Sequence, residues 1–91
     1  MIGEGAGREV TSGSFNTFMG EDAGYSVSTG YQNVSIGTSS HPTGGAAIGQ
    51  ICIGYNVASS GNYRIAVGHG GNKAELDLNG SDESWAASSD E

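Results

Sequence analysis

The strongest constraint in this sequence is a short phrase that returns at near-constant spacing. Asn33-Val34-Ser35-Ile36-Gly37 has a counterpart seventeen residues upstream, Asn16-Thr17-Phe18-Met19-Gly20, and another seventeen downstream, Gln50-Ile51-Cys52-Ile53-Gly54. Arg64-Ile65-Ala66-Val67-Gly68 follows after fourteen more, and Ile2-Gly3 stands one period before Met19-Gly20. A second marker keeps phase: Gly13, Gly30 and Gly61 each precede a repeat glycine by seven, with Ala47 holding that place in the fourth copy. So short a period implies a stacked architecture, in which each copy buries its surface against the next.

Within each copy the residues before the glycine alternate, and β-branched side chains are frequent. That pattern, bounded by glycine, predicts a strand. Thr17 and Met19, Val34 and Ile36, Ile51 and Ile53, and Ile65 and Val67 share one face; Phe18, Ser35, Cys52 and Ala66 share the other. Stacked at one copy per coil, Met19, Val34, Ile36, Ile51, Ile53, Ile65 and Val67 are expected to form the solenoid core, with Gly3, Gly20, Gly37, Gly54 and Gly68 at the turns. An aspartate at Ile53 is then expected to prevent folding, because it puts an unpaired charge into the interior. The second row faces water or a neighbouring chain. Phe18 and Trp85 are the expected interchain contacts, since exposed aromatics are costly unless they meet a partner.

A coil of 14–17 residues has room for two or three short strands and no helix. The fold expected is therefore all-β: a short-repeat β-solenoid or β-roll over residues 1–74, then an acidic, non-repeating β cap over 75–91. In the second part Ala74-Glu75-Leu76-Asp77-Leu78 alternates, Asn79-Gly80 signals a type I′ turn, and Ser81 to Ala87 is expected to return as a strand. Solenoid ends expose unpaired strand edges, so an end that departs from the repeat is expected.

Composition bears on partners. Only 35% of the residues are hydrophobic, while ordering each residue costs about 1.5 kcal/mol. Small domains in this position recruit disulfides, metals or other chains. Cys52 is the single cysteine, so an intrachain disulfide is ruled out, and no cysteine/histidine cluster suggests a metal. Partner chains are left as the expected remedy. A net charge of −7 argues against nucleic acid and anionic membrane as partners, and no apolar run reaches the length of a membrane span.

The residues that invite a chemical reading fit the repeat better. Gly3-Glu4-Gly5-Ala6-Gly7 lacks nucleotide-loop spacing and is echoed by Gly20-Glu21-Asp22-Ala23-Gly24. Glu4, Glu21 and Asp22 read as solvated turn charges, His41 and His69 as solvated histidines. Asn33-Val34-Ser35 matches a glycosylation sequon but lies in a predicted strand. No enzyme site and no cofactor are expected.

Two resemblances follow from these residues. Asn33-Val34-Ser35-Ile36-Gly37 and Arg64-Ile65-Ala66-Val67-Gly68 resemble the head repeats of trimeric, YadA-like autotransporter adhesins. That likeness implies coils of a parallel β-roll and three chains packed side by side. Asn16-Thr17-Phe18-Met19-Gly20-Glu21-Asp22-Ala23-Gly24 is more similar to repeats of phage tail fibres and tailspikes. Ser88-Ser89-Asp90-Glu91 resembles the junction to an endosialidase-type intramolecular chaperone, which trimerises a viral fibre and cuts itself off before the serine of Ser-Asp-x-Arg-x-Lys. Ser88, Ser89 and Asp90 would then mark the cleavage junction, and the arginine and lysine of that signature do not appear in this chain. The resemblance implies the shaft or tip of a homotrimeric fibre on the virion, used in host attachment. Its implied partners are its own copies, a chaperone domain in the precursor, and a host surface glycan or receptor. The alternative it implies is a head-repeat fragment of a bacterial trimeric surface adhesin.

Overall fold

The computed structural model describes residues 2–78 and the strand Ala86–Ala87. The Asn79-Gly80 turn, Trp85 and the Ser88, Ser89 and Asp90 junction lie outside the described residues. The described chain is all-β and forms a β-solenoid. Strands β1 (Thr17–Met19), β2 (Val34–Ile36), β3 (Gln50–Tyr55) and β4 (Arg64–His69) lie side by side in parallel. Thr17, Val34, Ile51 and Ile65 are neighbours in one row; Met19, Ile36, Ile53 and Val67 form another, which an isolated bridge extends from Met19 to Ile2. Each copy thus forms one coil and advances the stack by one strand spacing, about 4.8 Å. A column of parallel bridges through Ser14, Tyr31 and Ile48, and another between His41 and Ala58, tie the other sides of the coils together.

The interior reverses the expected assignment of the two faces. Phe18, Ser35, Cys52 and Ala66 point inward and are fully buried. Met19, Ile36 and Val67 are exposed on the outer face, and Val34, Ile51, Ile53 and Ile65 are half-buried there. Width is the physical reason. A coil this short encloses a channel only one side chain deep, so its inner row takes mostly small residues and the branched Ile and Val side chains turn outward. Phe18 fits because Gly24 stands opposite. A Cβ on Gly24 would lie 2.4 Å from the Phe18 ring, at a backbone φ of +66°. Phe18 then packs with Ala23 and Val27, and a second apolar cluster joins Cys52, Val57 and Ala66. Phe18 is therefore an interior anchor, not an interchain contact.

The polar residue that opens each phrase builds a ladder between coils. The Asn33 N–H donates to Asn16 Oδ1 at 3.0 Å, and the Gln50 N–H donates to Asn33 Oδ1 at 2.9 Å. Asn33 Nδ2 donates to the Ala47 carbonyl at 2.8 Å. The Gln50 amide is paired at both ends: Nε2 donates to Asn62 Oδ1 at 2.8 Å, and Oε1 accepts from the Thr43 N–H at 2.8 Å. Asn33 and Gln50 are buried, and their polar atoms are satisfied by neighbouring coils as buried amides require.

The repeat glycines answer to close approach. A Cβ on Gly37 would fall 2.1 Å from the Gly54 carbonyl oxygen, so the stack closes only without one. Gly3, Gly20, Gly37 and Gly54 share φ values of +118° to +130°. Gly54 and Gly68 depart from the expected turns: Gly54 lies inside β3 and pairs with Gly68 inside β4, and Gly68 lacks the positive φ of the other four. There it faces β5 (Asn72–Asp77), which runs antiparallel to β4 and pairs Gly68 with Lys73. β5 starts two residues before the predicted strand at Ala74 and spans the 74/75 division read from the sequence. β6 (Ala86–Ala87) pairs antiparallel with β5 through Ala74 and Glu75, within the stretch predicted to return.

Candidate functional site

The outer face of β1–β4 is the surface with the most unusual chemistry. Its outward positions are Thr17, Met19, Val34, Ile36, Ile51, Ile53, Ile65 and Val67, with no charge among them. Cross-strand pairing aligns them into two continuous rows, extended by Ile2 at one end and by Ala74 and Leu76 of β5 at the other. Ile2 is 64% exposed, Met19 41% and Val67 39%. Scattered exposed apolar residues are ordinary, but a contiguous apolar sheet face marks an interaction surface.

Aromatic side chains flank this face. Phe15, at 82% the most exposed large hydrophobic among the described residues, sits one residue before the Asn16 that opens its phrase. Tyr63 occupies the equivalent place before Arg64, and its ring lies over Gly49 of the coil below. Both adopt left-handed backbone, φ +59° and +56°, a conformation with a cost for an aromatic residue. Tyr31 is exposed beside them. At the C-terminal ends of β3 and β4, Tyr55 packs against its cross-strand neighbour His69 with ring centroids 5.2 Å apart.

The remaining sequence candidates are dispersed. Asp22 pairs with Arg8, whose guanidinium lies 5.0 Å from the centroid of the Tyr25 ring. Tyr25 also packs on His41 at 4.7 Å, and His41 Nδ1 contacts the Ser39 carbonyl at 2.8 Å, so His41 is a half-buried packing residue and not a solvated one. Glu4 and Glu21 are exposed. Among the described residues, no group of three His, Cys, Asp or Glu could hold a metal. Asn33 of the sequon is fully buried in the ladder and out of reach of a modifying enzyme. Cys52 is sealed in the interior, where burial pushes its thiol pKa up to about 11; it stays a protonated, unreactive packing group.

A third feature was missed in the sequence. Glu75, on the inward side of β5, is buried, and Oε1 accepts from the Ser60 N–H at 3.1 Å and the Ser60 hydroxyl at 2.9 Å. Arg64 Nε lies 3.2 Å from the same oxygen, and Lys73 Nζ 3.5 Å from Oε2. Arg64 also reaches Asp77 at 2.9 Å. Burial pushes the Glu75 carboxyl up, but Ser60, Lys73 and Arg64 together outweigh it and hold the group below its ordinary value. The signal was available: Ala74-Glu75-Leu76-Asp77-Leu78 alternates, and pairing it against β4 puts its acids on the inner face.

No family model, curated protein or solved structure matches this chain.

Proposed function

We propose that the chain is a structural and adhesive segment of a homotrimeric viral tail fibre or tailspike, forming the rigid shaft or tip used in host attachment. The observation that carries this reading is the exposed apolar face of β1–β4. Its two uncharged rows run the length of the stack in strict register, and an association of identical chains covers such a face most directly. Three copies that turn these faces toward a common axis bury Met19, Ile36, Ile53 and Val67 together, with Phe15 and Tyr63 reaching the neighbour across the corner. The core residues expected from the sequence thus become the core of the assembly instead of the coil.

The resemblance of the repeats and of the Ser88-Ser89-Asp90 junction supports the viral assignment. In this reading β5 closes the shaft, and the Ser88-Ser89-Asp90 sequence marks the junction to a chaperone domain in the precursor. The surfaces turned away from the axis are left for a host glycan or receptor. Light scattering across a dilution series tests the reading. A concentration-independent mass three times that of the 9.2 kDa chain is the expected result. A folded single chain at every concentration would overturn it.

A further inference from the structure

We infer that Glu75 is an electrostatic latch: its carboxylate seals the last position of the coil interior and holds β5 on the β4 edge, and neutralising it releases β5. This inference rests on the coil interior and is independent of how copies associate.

The inward column runs Phe18, Ser35, Cys52, Ala66, and the pairing of Ala66 with Glu75 makes a carboxylate its next member. β5 differs from the other strands in what it turns inward. Asn72, Ala74 and Leu76 continue the outer rows, whereas Lys73, Glu75 and Asp77 face the interior side. β1–β4 each bury an uncharged side chain there; β5 offers no apolar one. Its inward attachment is ionic and polar throughout. Glu75 is the hub, because its carboxylate meets three separate elements: Ser60 from the preceding turn, Arg64 from β4 and Lys73 from its own strand. Lys73 in turn donates to the Ala58 carbonyl, tying β5 to the turn below. The other titratable neighbours are Asp77, which shares Arg64, and Cys52, which stays protonated beneath.

Removing the charge leaves two cations gathered around a neutral group and weakens two hydrogen bonds from Ser60. Charge-assisted hydrogen bonds of this kind are the strong ones, and the half-buried Arg64 and Lys73 each lose an ion pair. The carboxyl is held below its ordinary value in the folded chain. Its contribution is therefore complete above the ordinary value and disappears as pH falls through the folded one. Acid should then loosen β5 before it loosens the coils, whose interior clusters contain no carboxylate.

Amide hydrogen exchange on the full chain tests this, from neutral pH to below the ordinary carboxylate range, corrected for intrinsic exchange. In the wild type, β5 amides should lose protection by at least about tenfold on acidification while β2 and β3 keep theirs. Glu75→Gln should show the low β5 protection already at neutral pH and no further change with acid. Asp77→Asn should retain the acid-dependent loss. Loss of β5 and coil protection together, or an acid-dependent loss that survives in Glu75→Gln, would overturn the inference. So would β5 protection in Glu75→Gln equal to the wild type at neutral pH.

Discussion

The two faces of strands β1–β4 share one backbone and differ in every other respect. The inner face carries Phe18, Ser35, Cys52 and Ala66, mostly small, one of them polar, and all fully buried. The outer face carries Met19, Val34, Ile36, Ile51, Ile53, Ile65 and Val67, larger and more apolar, yet in contact with solvent in the single chain. In a wide globular core, hydrophobicity and burial go together. In a coil one side chain deep they separate, because volume decides what fits inside and hydrophobicity is left to decide what associates outside.

The sharpest way to break this comparison is a charge on the inner face. Phe18→Asp places an unpaired carboxylate in a fully apolar cluster, and loss of the β-sheet signal in circular dichroism is expected. Next in size is Gly24→Ala. Its methyl group meets the Phe18 ring in a left-handed conformation, and together these should cost about 2–4 kcal/mol in chemical denaturation. Adding Phe18→Leu should recover part of that loss by making room, a coupling visible in a double-mutant cycle. The outer face should behave oppositely. Ile53→Asp, expected from the sequence to prevent folding, should instead leave the sheet signal in place and reduce the native mass to a single chain. A wild-type native mass for this variant would remove the outer face from the association. The smallest effect lies inside again: Ser35 Oγ is buried with only the Cys52 thiol as a weak polar neighbour, so Ser35→Ala should raise stability by about 1 kcal/mol, read as a higher melting temperature.

The period, the strands and the positions of the repeat glycines were legible in the sequence because each is a local property of spacing. The alternation within Val34-Ser35-Ile36 or Ile51-Cys52-Ile53 separated the two faces correctly. What it could not tell was which face is inside, since period two is the same read from either side. The clue was present in Ser35, Cys52 and Ala66, a row of small residues suited to a narrow channel, and in the Phe18/Gly24 pairing that makes the exception. The Glu75 network escaped for another reason. Its members come from the turn at Ser60, from β4 and from β5, and only the antiparallel reversal after His69 brings them together. The outward aromatics Phe15 and Tyr63 stood just outside the phrase and carried no periodic mark of their own.

Between β2 and β3 the chain takes seventeen residues to complete a coil, and between β3 and β4 only fourteen, yet the pairing continues without a slip: Ile36 to Ile53 to Val67. The three missing residues fall between His41, which bridges to Ala58, and Gln50, which pairs with Arg64, in the stretch that joins β2 to β3. The sheet therefore behaves as a ruler whose graduations are set by backbone hydrogen bonds and not by the amount of chain between them. The stretches that join the strands can lengthen or shorten, acquiring or losing contacts, while every mark on the apolar edge stays where a neighbouring ruler would need it.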